Sequence, residues 1–474
     1  MKIVSVRGCG LIAVFCATVW GQGRGDRPVV APRGLGEIRP HMWLRGSGPG
    51  HNESPQAAPG GVSVGGFYPS DITSAYGITP SMGGGSGVTI AIIDAYDSPN
   101  AEADLAVFSN QFGLPACSTA NGCFTKVNEG GGTALPNRNT GWELEINLDV
   151  QWVHAVAPYA HILLVEASSA NLGDLLAAVN TAKQKASVVS MSWGATESRS
   201  DTADDSVLVQ DGVTFLASSG DTAAEVLWPA SSPNVIAVGG TNLAASGGHL
   251  ATPIVETAWS GAGGGCSLYE AQPAAQNTFV PSSCPNRGVP DVAADAGPNS
   301  AVAVYISLQG GWYSAYGTSL AVQIFAGFIG TVNGMRGQPL TSGLSDLYAG
   351  ASGASSSTSS STSTPVSTAP SSSAPGPRSP GPTAILADAV ARRESAPGPS
   401  GPVSGPSSGG SSSGGSTSSP PSGGSTTSSL YALDYRDITS GSAGSFSAGA
   451  GWDFITGLGT PSAGSLAPFL VTKQ

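Results

Sequence analysis

Four short runs, Val88–Asp94, Ile162–Glu166, Val188–Ser192 and Val213–Ala217, are largely apolar from one end to the other rather than alternating with polar residues. A strand with one wet face alternates, whereas a strand covered on both faces reads as a continuous apolar run, so these segments belong in the middle of a parallel sheet. Segments of helical spacing lie between them: Asn100–Phe112, Leu144–Val156 and Leu172–Lys183. Strand and helix in alternation predict an α/β fold, a doubly wound parallel sheet flanked by helices.

Polar groups that could carry chemistry sit at particular points on this frame. Gly317-Thr318-Ser319-Leu320-Ala321 opens an apolar run through Ala326, Phe328 and Ile329. A serine in the first turn of a buried helix holds its hydroxyl where the partial positive charge of the helix N-terminus favours a developing anion. Ser319 is the candidate nucleophile, although such a residue alone is also an ordinary cap. It needs a base, and the chain has five histidines: His41, His51, His154, His161 and His249. None lies in a catalytic histidine motif; the first two fall in a polar N-terminal stretch, and His154 and His161 are read as structural. Glu145 and Asp149 are the better candidates. Spaced by four residues on a helix they share a face, and two carboxyls in contact share a proton and titrate as a pair, which suits a base working in acid. Asp221 closes the apolar run Gly212–Gly220, where a protonated carboxyl can donate to an oxyanion.

Taken together, these pieces resemble the sedolisins, serine-carboxyl peptidases with a subtilisin-like fold. The matching segments are Glu145-x-x-x-Asp149-x-Gln151, Ser218-Ser-Gly-Asp221, Trp228 to Thr241 and Gly317-Thr-Ser319, in the family's order. The resemblance implies that Ser319 is the nucleophile, Glu145 the general base and acid, Asp149 its orienting partner and Asp221 the oxyanion-hole acid. It also implies a calcium site. Asp437 and Asp453 flank a glycine-rich turn, and hard cations favour carboxylate and carbonyl oxygens. Carried over from the family, the side chains of Asp437 and Asp453 and the carbonyls of Ile438, Gly449 and Gly451 would hold one Ca²⁺. Asp94, ending the first strand, resembles the subtilisin acid and ranks as a secondary site residue, since no partnering histidine motif follows. Two positions depart from the family: Gln323 stands where a proline is common, and Tyr316 where a glycine is.

The remaining chain sets the outer organisation. Met1, Lys2 and Arg7 followed by the apolar stretch Gly10–Trp20 have the layout of a secretory signal over 1–22. Residues 23–65 are rich in Gly, Pro and Arg and are expected to be an unstructured lead, too short for the folded prosegment of over a hundred residues that the resemblance implies. Residues 66–349 and 430–474 are expected to form the peptidase domain. Between them, 350–429 is dominated by Ser, Gly, Pro and Thr and is expected to be a disordered insertion, since such a tract cannot bury enough apolar area to offset chain entropy. Once Cys9 and Cys16 leave with the signal, Cys117 pairs naturally with Cys123 and Cys266 with Cys284 in an oxidising compartment. Charged residues make up 11% of the chain and the net charge is −12, which argues against a nucleic-acid partner. The sequence therefore predicts a secreted, monomeric, acid-acting peptidase of proteins or peptides. Two other readings stay open: a histidine-dependent subtilisin-like hydrolase, and a non-catalytic relative that acts as a binding or surface protein.

Overall fold

The computed structural model describes residues 26–29, 38–45, 64–352 and 433–473, all within one compact unit. The expected signal, 1–22, lies outside the described residues, as does the expected insertion apart from 350–352, which end helix α6 (Gly343–Ser352).

The apolar runs form the centre of a parallel sheet: β4 (Thr89–Ala95), β5 (Phe124–Asn128), β6 (His161–Ala167), β7 (Val188–Met191), β9 (Thr214–Ser218) and β11 (Val235–Leu243) stand in the order β5-β6-β4-β7-β9-β11. Val292–Asp295 adds parallel to β11, and Glu256–Ala258 adds antiparallel to it. Ile90 and Ile92 of β4 enter one hydrophobic cluster, while Ala91 and Ile93 enter another on the opposite face. That split is why the run is apolar at every position.

Helices α3 (Thr140–Val156) and α5 (Thr318–Arg336) pack against each other on one face, and α4 (Leu172–Ala182) covers β4 and β6 on the other. The Asn139 side chain starts α3 by accepting from the N–H groups of Gly141 and Trp142 at 3.0 and 3.2 Å. From Trp142 to Val156 every residue of α3 is buried, so its polar side chains have no solvated face. Helix α5 is long and apolar enough to cross a membrane by length and composition, but it is buried in the protein's own core. Its Gly330 permits this: a Cβ there would meet Ile90 Cδ1 at 2.5 Å.

β4 pairs with β6 on one side and β7 on the other; the chain leaves it toward the β5–β6 side and later adds β7, β9 and β11 on the opposite side, so the order reverses at β4. A crevice opens at such a reversal in a doubly wound sheet. Asp94, Ser192 and Ser218 all stand at these carboxyl ends. Both expected disulfides, Cys117–Cys123 and Cys266–Cys284, are formed.

The lead departs from expectation. Described parts of it form strands: β1 (Arg27–Pro28), β2 (Arg39–Pro40) and β3 (Trp43–Leu44). β2 pairs antiparallel with β8 (Trp193–Thr196), and β3 pairs with Ala315 and Tyr316. The physical reason is local: Ile38, Met42 and Leu44 are buried, so a short apolar patch inside a polar stretch gains enough contact to order it.

Candidate active site

Ser319 lies in the first turn of α5 and is fully buried. The turn before it depends on Gly317, whose φ of 137° is open to glycine and strained for other residues. A side chain there would also overlap the carbonyl oxygen of His41 and come within 2.7 Å of Asp221 Oδ2. Ser319 Oγ donates to the carbonyl oxygen of Ser192 at 3.3 Å and accepts from the His41 N–H at 3.2 Å.

Glu145 and Asp149 sit on the inner face of α3 and are fully buried. Burial pushes the Glu145 carboxyl well above its usual range; Asp94 and Asp221 add to this and the neighbouring Ser319 hydroxyl opposes it. That hydroxyl is close to Glu145 without a well-formed hydrogen bond, and neither Glu145 oxygen has a partner in such geometry. Asp149 is likewise pushed well up, by burial first and then by Asp94 and Glu145. Gln323 Nε2 donates to Asp149 Oδ2 at 2.6 Å and to Ser192 Oγ at 2.8 Å. The glutamine found in place of proline therefore ties the two helices together at the carboxyl pair.

Asp94, ranked second from sequence, belongs to this cluster. It is the leading charged neighbour of both Glu145 and Asp149, its two oxygens lack hydrogen bonds, and burial pushes it up to about 8. Buried carboxyls without donors resist ionisation, and crowding them resists it further. Ionisation is therefore disfavoured at each of the three carboxyls, and the charge and protons of the cluster are shared among them.

Asp221 Oδ1 accepts from both the N–H and the hydroxyl of Thr318, each at 2.8 Å. Its Oδ2 makes no well-formed hydrogen bond, and burial raises the group to about 7. Below neutrality it carries a proton beside the nucleophile. His154 and His161 are elsewhere: His154 Nε2 lies 2.8 Å from the Pro115 carbonyl, and His161 lies between Thr89 and Thr125 at the opposite end of the sheet.

His41 is the residue that sequence reasoning passed over. Its N–H donates to the Ser192 carbonyl at 3.2 Å, and its carbonyl oxygen accepts from the Ser319 N–H at 3.1 Å. Its Nδ1 lies 2.7 Å from Ser218 Oγ, so the ring does not address Ser319. The available signal was the run Ile38-Arg-Pro-His-Met-Trp-Leu44, which is more apolar than its flanks.

Near the C-terminus, Gly451 N–H donates to Asp437 Oδ2 at 3.0 Å and Gly449 N–H to Asp453 Oδ2 at 3.2 Å, so the two acids bracket the glycine turn. Asp437 Oδ1 is buried without a partner. Among the described residues no hydrogen bond ends on the carbonyls of Ile438, Gly449 or Gly451. An orphaned carboxylate oxygen beside free carbonyls fits a hard cation.

The described architecture and the serine beside buried carboxyls define a class, and comparison agrees. The subtilase family model matches residues 129–425, more than half of the sequence, and the chain belongs to the subtilase family. Three curated peptidases are similar to it in sequence. Kumamolisin of Bacillus sp. (strain MN-32) is 32% identical over 339 residues, 64% of this chain and 58% of that protein. Xanthomonalisin of Xanthomonas sp. (strain T-22) is 29% identical over 344 residues, 59% of this chain and 39% of that one. Sedolisin of Pseudomonas sp. (strain 101) is 26% identical over 383 residues, 69% of this chain and 62% of that one. The chain thus spans between 39% and 62% of these relatives' lengths. The solved Pseudomonas sedolisin, complexed with two molecules of pseudo-iodotyrostatin, matches the fold with a TM-score of 0.61 at 22% identity, covering 86% of this chain and 99% of that one.

Proposed function

We propose that this chain is a secreted serine-carboxyl peptidase that hydrolyses peptide bonds in acid, with Ser319 as nucleophile. The observation that carries this reading is the burial of Glu145, Asp149, Asp94 and Asp221 around a serine hydroxyl, with no histidine ring among the described residues directed at that hydroxyl. Glu145 takes the Ser319 proton as Oγ attacks the carbonyl carbon, Asp149 and Asp94 keep the shared proton in place, and Glu145 returns a proton to the leaving amine. Protonated Asp221 and the Ser319 N–H hold the oxyanion. Asp221 must stay neutral, which confines activity to the acid side of its titration.

Asp437, Asp453 and the carbonyls of Ile438, Gly449 and Gly451 would hold one structural Ca²⁺, which would pin the glycine turn. Casein digestion across pH by the wild type, Ser319→Ala and Glu145→Gln tests the catalytic assignment. Digestion confined to the wild type in acid is expected. Equal digestion by all three, or a rate peaking near pH 8, would remove it.

A further inference from the structure

Gln323, which stands where a proline is common, is fully buried on α5 and directs its amide at the carboxyl cluster: Nε2 donates to Asp149 Oδ2 at 2.6 Å and to Ser192 Oγ at 2.8 Å. Its Oε1 has no hydrogen-bond partner. A buried amide with an unmet acceptor is costly, and an apolar side chain would fill the same space without that cost, so the two donations are what offset it. Asp149 faces Asp94 from β4 and Glu145 from its own helix, while Ser192 approaches from just past β7 and Gln323 from α5. Neither oxygen of Asp94 and neither oxygen of Glu145 makes a well-formed hydrogen bond. Asp149 alone of the three accepts one. Burial and the two neighbouring acids push it up, and the Ser192 hydroxyl and the Gln323 amide pull it back. An N–H donor favours the charged form of a carboxyl, so the first negative charge in the cluster forms most readily at Asp149. The same amide holds Ser192, whose carbonyl oxygen accepts from Ser319 Oγ at 3.3 Å.

We propose that Gln323 is a positioning residue: by donating to Asp149 it draws the first negative charge of the carboxyl cluster to that side, and so sets how far into acid Glu145 can still take the Ser319 proton. The proposal rests on the peptidase reading above. A cluster that holds all its protons contains no base, so one must be lost before catalysis begins. With one proton then shared between Glu145 and Asp149, the proton arriving from Ser319 Oγ stays on Glu145 and the shared one settles on Asp149, which leaves both neutral. Removing the donor makes the first loss harder, and the acid limb of the rate must move to higher pH. Turned over, the amide would set Oε1 against Asp149 Oδ2 and favour the protonated carboxyl, and its removal would move the limb the other way.

The test measures kcat and KM on a fluorogenic peptide from pH 2 to 7 for the wild type, Gln323→Met, Gln323→Asn and Ser319→Ala, with the melting temperature of each. Methionine keeps the volume and removes the donor. Asparagine keeps an amide but withdraws it by one methylene from Asp149, and it gives the answer if the methionine variant does not fold. The acid limb of kcat/KM is expected to move up by about one to two pH units in both, the shift that follows from losing one hydrogen bond to a charged group. KM should stay near the wild-type value, because Gln323 has no exposed surface with which to touch a substrate. A kcat lowered by the same factor at every pH, with the limb unmoved, would make Gln323 a mere tie between helices and overturn the proposal, as would a limb that moves down. In either case a wild type active in acid beside an inactive Ser319→Ala would leave the peptidase reading standing. A Ser319→Ala variant as active as the wild type would remove that reading, and this one with it.

Discussion

Replacing Asp221 with asparagine separates a group that donates from a group that titrates. Asp221 Oδ1 accepts two hydrogen bonds from Thr318 and Oδ2 faces the His41 carbonyl oxygen across Gly317. An amide in the same pose keeps its oxygen on Thr318 and presents an N–H₂ donor where the protonated oxygen stood. Asp221→Asn should therefore retain most of kcat at pH 4, whereas Asp221→Ala, which removes the donor, should lose about 10²–10³-fold, on the order of 3–4 kcal/mol of transition-state stabilisation. The pH profiles should differ more tellingly. Burial raises Asp221 to about 7. The wild-type rate should then fall about tenfold for each pH unit above that value as the donor ionises. The amide cannot ionise, so the step assigned to Asp221 should vanish from its profile. The assay is kcat/KM on a fluorogenic peptide from pH 3 to 9. An asparagine variant as inactive as the alanine variant, or one with the wild-type alkaline limb, would refute the reasoning.

Other expectations are independent of this one. Asp94, Glu145 and Asp149 have folded-state pKa values raised above their unfolded ones, so their contribution to stability is present in acid and is lost as pH rises through the folded values, about 8 for Asp94. The melting temperature of Ser319→Ala should fall steadily from pH 4 to pH 8, and a flat or rising trace would contradict it. Arg287 and Asp291 form a fully buried pair at 2.6 Å that also holds the Val235 carbonyl and the Ala237 N–H of β11. Arg287→Met leaves that carboxylate uncompensated and should cost about 3–5 kcal/mol in urea unfolding; a loss under about 1 kcal/mol would show the pair to be dispensable. With 1 mM Ca²⁺ and a dissociation constant on the order of 10 µM, the cation should stabilise the fold by about 2.7 kcal/mol. Chelation should lower the melting temperature of the wild type but not of Asp437→Ala, and equal shifts in both would place the ion elsewhere.

The parts legible in the sequence were those governed by short-range pattern. β4, β6, β7 and β9 were visible because both faces of each are covered, which leaves no polar alternation to confuse them. Helices α3 and α4 were visible from spacing, and the near-neighbour cysteines paired as expected. Ser319 and the Glu145–Asp149 pair could be singled out because a helix start and a four-residue spacing are local facts. What stayed hidden depends on contacts between distant segments. Asp94 joins the carboxyl cluster only because β4 lies beneath α3, and the role of Gln323 needs α3, α5 and the end of β7 brought together. His41 is 278 residues from Ser319, and the glycine, proline and arginine around it mask the few apolar side chains that hold it. Even the carboxyl pair was half read: spacing shows a shared face but not that α3 is enclosed on every side.

Where the described chain stops at Ser352 and resumes at Leu433, its two banks stand side by side: a Cβ on Gly350 would lie 3.5 Å from Asp434 Oδ2, and the Tyr435 hydroxyl reaches the Leu347 carbonyl at 3.0 Å. Whatever joins such adjoining ends can lengthen, shorten or change composition without pulling on the scaffold, because closing the gap asks for almost no reach. Replacing residues 353–432 with a few-residue bridge should therefore leave the catalytic frame undisturbed, and a foreign module could be grafted between these two ends on the same ground.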